Sequence, residues 1–88
     1  MIRKTIHVFG NVQGVGFRYT TRSAVAEFNV AGYVRNLGNG SVELVVEGND
    51  AEIERFLKVL RNRMSGHINR EEVRESPATG EFSGFSVR

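Results

Sequence analysis

The stretch Gly10-Asn11-Val12-Gln13-Gly14-Val15-Gly16-Phe17-Arg18 gathers three glycines and an arginine into nine residues. Glycines at this density form no regular element, and they let the backbone adopt positive φ and approach a ligand closely. Consecutive backbone N–H groups in such a loop can converge on an anion. The apolar residues that follow fall at helical spacing, so the loop feeds a helix N-terminus with unpaired N–H donors and the positive end of the helix dipole. Arg18, in the first turn, adds a permanent charge whose fork matches two oxygens of a phosphate. The chemistry this favours is the binding of a tetrahedral oxyanion. The plainer alternative is a tight strand-to-helix connection with a surface arginine. The segment is not a Walker loop, because no Gly-Lys-Ser/Thr follows, and its glycine spacing does not fit a dinucleotide fingerprint.

Other candidates for chemistry are sparse. His7 and His67 lie far apart in the chain with no cysteine beside them, and both read as ordinary strand or surface residues rather than metal ligands. The chain has no cysteine, which excludes disulfides, thiolate metal sites and a cysteine nucleophile. Phe9, Phe17 and Phe28 are expected in or near the core. Arg55, Arg61, Arg63 and Arg70 are expected on a solvated helix face and its flank, interrupted by Glu52, Glu54, Glu71 and Glu72. The expected metal and cofactor content is none.

The elements that must hold the loop can be read from periodicity. At 88 residues, 40% hydrophobic and 25% charged, the chain is sized for one domain spanning 1–88. The net charge is +2, but residues 1–40 carry five basic groups and one acid, so the first half favours an anionic partner. No apolar run reaches the roughly 20 residues of a membrane span, and the basic start lacks the apolar stretch of a signal peptide. A cytoplasmic location is therefore expected. Residues 4–9 read as a strand with Ile6 and Val8 on one face, His7 and Phe9 on the other. A helix is expected over 17–28, with Phe17, Thr21, Ala24, Val25 and Phe28 on one stripe and Asn29 as its C-terminal cap.

Strands over 31–37 and 41–47 flank the hairpin signal Gly38-Asn39-Gly40. A second helix over 51–64, capped by Asn49 or Asp50 and ended by Gly66, buries Ile53, Phe56, Leu57, Leu60 and Met64. An i,i+4 pair of Glu54 with Lys58 is expected on its outer face. A polar strand over 68–75, a turn over 76–80, and a last strand over 82–87 with Phe85 and Val87 inward complete the chain. The order is β-α-β-β-α-β plus a short C-terminal strand. This is the ferredoxin-like split β-α-β arrangement, an α+β fold with an antiparallel sheet and two helices on one face. Such a fold settles nothing about function by itself.

The nonapeptide resembles the first signature of the acylphosphatase family, Gly-x-Val-x-Gly-Val-x-Phe-Arg. Gly32-Tyr33-Val34-Arg35-Asn36 resembles the second, Gly-aromatic-small-x-Asn. The resemblance extends over essentially the whole chain, including Gly84-Phe85-Ser86-Val87. One departure is Ser65-Gly66-His67-Ile68-Asn69-Arg70, which lacks the proline-containing segment common after the second helix. The resemblance implies a metal-independent enzyme that hydrolyses the carboxyl–phosphate anhydride of a small acyl phosphate. By the same resemblance Arg18 is the phosphate-binding arginine and Asn36 the residue that positions the attacking water. The backbone N–H groups of Gln13, Gly14, Val15, Gly16 and Phe17 complete the phosphate cradle. A carboxamide cannot act as a base near neutral pH and can only orient water, so the bound phosphate is expected to take the water's proton itself. Inorganic phosphate is then the product or an inhibitor, and a free-standing monomer is expected.

Two other classes compete. An RNA-recognition module shares the element order, and the sequence pI is about 9.5. Such modules stack bases on aromatics of the middle strands, whereas the outward side of 41–47 offers Ser41, Glu43, Val45 and Glu47, which argues against nucleic acid. A catalytically silent regulatory or anion-binding domain remains the other alternative, although Arg18 and Asn36 are both present.

Overall fold

A computed structural model describes residues 1–88. The elements are β1 (Ile2–Gly10), α1 (Phe17–Val25), β2 (Ala31–Asn36), β3 (Val42–Gly48), α2 (Asp50–Arg63), β4 (Ile68–Pro77) and β5 (Phe85–Val87). They form one five-stranded sheet in the order β4-β1-β3-β2-β5. Each helical crossover skips one strand: β3 lies between β1 and β2, and β1 lies between β3 and β4. The four long strands pair antiparallel, while β5 runs parallel to β2, so the sheet is mixed.

The period-two pattern of β1 and β3 assigns the faces. Ile6 and Val8 of β1, with Val42, Leu44 and Val46 of β3, are buried on the helix side. They meet Ala24 and Val25 of α1 and Ile53, Phe56, Leu57 and Leu60 of α2 in one core cluster. The stripe on α2 falls at i, i+3, i+4 and i+7, so a single face enters the core. Thr21, fully buried, returns its hydroxyl to the Phe17 carbonyl at 2.8 Å and leaves no unpaired polar group.

Several boundaries differ from expectation. α1 ends at Val25, not at residue 28, and Asn29 does not cap it. Glu27 and Phe28 donate to the carbonyls of Ala24 and Val25, three residues back, which tightens the last turn. Phe28 then swings onto Phe56, with ring centroids 6.1 Å apart. The Asn29 N–H is taken by the Glu52 carboxylate at 2.8 Å. Asn49 takes the N-cap position of α2 without a side-chain capping hydrogen bond, and Glu54 pairs with Lys4 of β1 rather than with Lys58. β4 runs on through Pro77, which an edge strand tolerates because no neighbour needs its missing N–H. β5 has only three residues, and Val87 is exposed. Phe9 lies on the sheet face away from the helices, with the Arg70 guanidinium 3.9 Å above its ring, rather than in the core.

The helix-free face of the sheet is not simply solvated. Val45 is 3% exposed and Glu47 6% exposed there. The segment between β4 and β5 folds across this end of the face. Phe82 packs edge-on against Tyr33, ring centroids 5.8 Å apart, and the Glu47 carboxylate binds the Thr79 N–H and the Gly80 N–H at 3.0 Å each.

Candidate active site

The loop leaves β1 at Gly10 and enters α1 at Phe17. Two left-handed glycines shape it, Gly14 at φ +77° and Gly16 at φ +78°, a region that other residues enter only with strain. Gly16 is also the N-cap of α1, and it offers no capping side chain. No acidic residue occupies the first turn. From Asn11 through Tyr19, no backbone N–H donates to any acceptor in the protein; the first to do so is Thr20, to the Gly16 carbonyl at 2.8 Å. A helix always leaves its first N–H groups without helical partners. Here they are left free of side-chain acceptors as well, and the loop before them extends the series.

A cavity of about 190 Å³ opens over this segment, lined by Val12, Gly14, Gly16, Phe17, Arg18, Tyr19 and Asn36. Arg18 and Asn36, eighteen residues apart in the chain, thus line one cavity. Asn36 is the last residue of β2 and is paired with Val42 of β3, so the strand end carries it to the loop. Arg18 is half-buried and is paired with no side-chain carboxylate. Its Nη1 donates to the main-chain oxygen of Arg88 at 2.8 Å, which fixes the side chain. The Arg88 backbone is in turn anchored by its N–H on the Val34 carbonyl of β2 at 2.8 Å.

Among the expected loop residues, Gly14, Gly16 and Phe17 line the cavity and Gln13 and Val15 do not. Val15 packs against the core. The Gln13 side chain turns away and donates to two carbonyls of the β2–β3 turn. Tyr19 and Val12 line the cavity without having been singled out in the sequence. Val12 is one of two valines in the loop, and Tyr19 follows the arginine directly.

The cavity lining contains no carboxylate and no imidazole. His7 lies on the helix-free face, 2.9 Å from the Glu43 carboxylate, in a network that Tyr33 and Arg35 join at 2.7 Å each. No three His, Cys, Asp or Glu side chains come together as a metal-binding group. What the cavity can do chemically is bind an oxyanion through charge and N–H donors and hold one neutral amide beside it.

The acylphosphatase family model matches residues 4–87. The acylphosphatase of Paenarthrobacter aurescens is 42% identical over 87 residues, covering 98% of this chain and 93% of that protein. That of Thermobifida fusca is 40% identical over 88 residues, with 99% and 97% covered. The crystal structure of acylphosphatase from Bacillus subtilis superposes with a TM-score of 0.90 at 31% identity, covering 100% of this chain and 99% of that one. The match over nearly the whole chain makes this protein a hydrolase, and the chain belongs to the acylphosphatase family. Its substrates are accordingly small acyl phosphates.

Proposed function

We propose that the phosphoryl group of the acyl phosphate lies in the loop between β1 and α1, held by backbone N–H groups of residues 13–17 and by Arg18. The observation that carries this reading is the uninterrupted run of unengaged N–H donors from Asn11 to Tyr19, beside an arginine that pairs with no Asp or Glu side chain. Asn36, lining the same cavity, orients the attacking water. The water oxygen bonds to phosphorus, the bond from phosphorus to the acyl oxygen breaks, and the carboxylate departs with the electron pair. A carboxylate leaves readily, so general acid help is not required. The water's proton passes to a phosphoryl oxygen of the substrate, because no side chain of the cavity can accept it at neutral pH. Transfer of a phosphoryl group goes through a loose transition state, and positioning with charge stabilisation supplies most of the catalysis. Arg18, the loop donors and the α1 dipole provide that stabilisation without a metal ion.

Inorganic phosphate is the second product and competes for the same cradle. The large apolar side chains left exposed, Met1, Tyr19, Val73 and Val87, come from separate segments, which favours a monomer. The enzyme acts in the cytoplasm, in keeping with a chain free of cysteine. Size-exclusion chromatography and cell fractionation test these two points.

The reaction is tested by benzoyl phosphate hydrolysis in the presence of EDTA for wild type, Arg18→Ala and Asn36→Ala. Loss of one preorganised donor typically costs on the order of 10²–10³ in rate. Chelator-resistant activity in the wild type, with losses of that order in two folded variants, is the expected result. Activity that vanishes with EDTA, or survives in Arg18→Ala, would sink the mechanism.

A further inference from the structure

Gln13 belongs to the phosphate loop, yet its side chain serves another element. Its Nε2 lies 2.8 Å from the Leu37 carbonyl and 2.8 Å from the Ser41 carbonyl. Both acceptors are carbonyls, so the amide nitrogen must be the atom facing them, and both of its protons are engaged. Leu37 and Ser41 are the two sides of the β2–β3 turn: the Leu37 N–H donates to the Ser41 carbonyl at 2.8 Å. The preceding residue pair is Asn36 with Val42, the last of the ladder. The carboxamide therefore rivets the phosphate loop to the strand end at the point where Asn36 emerges. Ser41 is itself buried, and its hydroxyl and N–H both donate to the Asn39 side chain, so the turn presents these carbonyls in a fixed arrangement.

We propose that Gln13 is a positioning residue that sets the distance between the phosphate cradle and the water held by Asn36. The inference rests on the roles given above to the loop and to Asn36. Two rigid parts supply the two reactants, and they belong to different elements. Without a cross-link each can keep its shape while their separation drifts, and misplacement by about 1 Å can cost on the order of 10²-fold in rate. Gln13 acts through Asn36, so its effect requires Asn36 to be present.

The test is a double-mutant cycle on benzoyl phosphate hydrolysis, with Gln13→Ala and the volume-conserving Gln13→Met, each in wild-type and Asn36→Ala backgrounds. Unfolding curves and inhibition by inorganic phosphate are measured alongside. In the wild-type background kcat is expected to fall about 10–100-fold, while the inhibition constant of phosphate stays within about twofold. In the Asn36→Ala background the further loss is expected to be under about twofold, because coupled residues are non-additive. Equal losses in both backgrounds, or a loss explained by weaker phosphate binding, would overturn the inference. So would failure of both Gln13 variants to fold, since the residue would then hold the fold and not the water. A wild type without hydrolysis refutes the enzymatic reading itself, whereas an active wild type with additive variants refutes only the role of Gln13.

Discussion

Gly16 carries two burdens at once: it turns the chain into α1 and it leaves the donors after it unengaged. Its φ of +78° lies in the left-handed region, but a Cβ built there would meet nothing within 4 Å. Gly16→Ala is therefore a pure backbone substitution, expected to cost about 1–2 kcal/mol through strain and not through a clash. Gly38, in the β2–β3 turn, has equally open space and no positive φ, and Gly38→Ala serves as its control. Urea unfolding of the two variants should show the loss for Gly16 and none for Gly38; equal effects would contradict the conformational account. At this scale the sequence was most informative. Glycine and arginine at fixed spacing state their chemistry through backbone freedom and permanent charge. The side-chain direction of Gln13 was not legible, because a carboxamide in a loop can face solvent, ligand or a neighbouring strand equally well.

The segment after β4 shows how one element is held by a single side chain of another. Glu47 accepts from Arg3 Nε at 2.7 Å and from the Thr79 N–H, the Thr79 hydroxyl and the Gly80 N–H at 3.0 Å each. Burial alone would raise this carboxyl. The donors of Thr79, Arg3 and Gly80 outweigh burial and bring it down to about 2 from an ordinary 4.5. A folded value below the unfolded one means stabilisation that is complete above about pH 4.5 and is lost as pH falls through about 2. A shift of this size corresponds to about 3 kcal/mol.

Glu47→Gln should cost about that much at pH 7, because an amide turns an N–H toward the donors it replaces an acceptor for. The deficit should narrow by pH 3. Urea titrations at the two pH values check it, and a deficit that does not change with pH would exclude the carboxylate as the source. The segment leads into β5 and so to the main-chain oxygen of Arg88 on Arg18, which links the anchor to the active-site cavity through the backbone. None of this was legible beforehand. Glu47 fits the alternation of β3 as an outward, solvated residue, and only the fold of 78–84 over the sheet reveals its partners. β1, β3 and α2 were legible because their apolar residues keep a period. The end of α1 and the start of β5 were not, because Phe28 and Phe82 leave their patterns to pack against other rings.

Across the whole molecule, the sheet order brings the two halves of the site together. β1 and β2 are not neighbours, yet the loop after β1 and the end of β2 meet over one cavity because β3 between them pairs with both, Val8 and Asn36 each facing Val42. β3 and β4 run antiparallel to β1, so their C-terminal ends, Gly48 and Pro77, lie beside Ile2 at the other end of the sheet, and ion pairs such as Arg61 with Glu71 and Arg63 with Glu27 form outside the cavity. An 88-residue chain has little core to spare for a deep pocket, and a shallow oxyanion cradle with no base is chemistry that suits it. The element order was readable from the sequence; the parallel pairing of β5 with β2, which seats Arg88 beside Arg18, was not, because three residues carry no periodicity that fixes a direction.

The central claim is that water attacks phosphorus in the cradle of Arg18, the loop and Asn36. It is tested most directly by turning over benzoyl phosphate with the wild-type enzyme in oxygen-18-enriched water and analysing both products by mass spectrometry. The account predicts the heavy oxygen in phosphate and none in benzoate. Heavy oxygen in the benzoate would mean attack at the acyl carbon, and would contradict it.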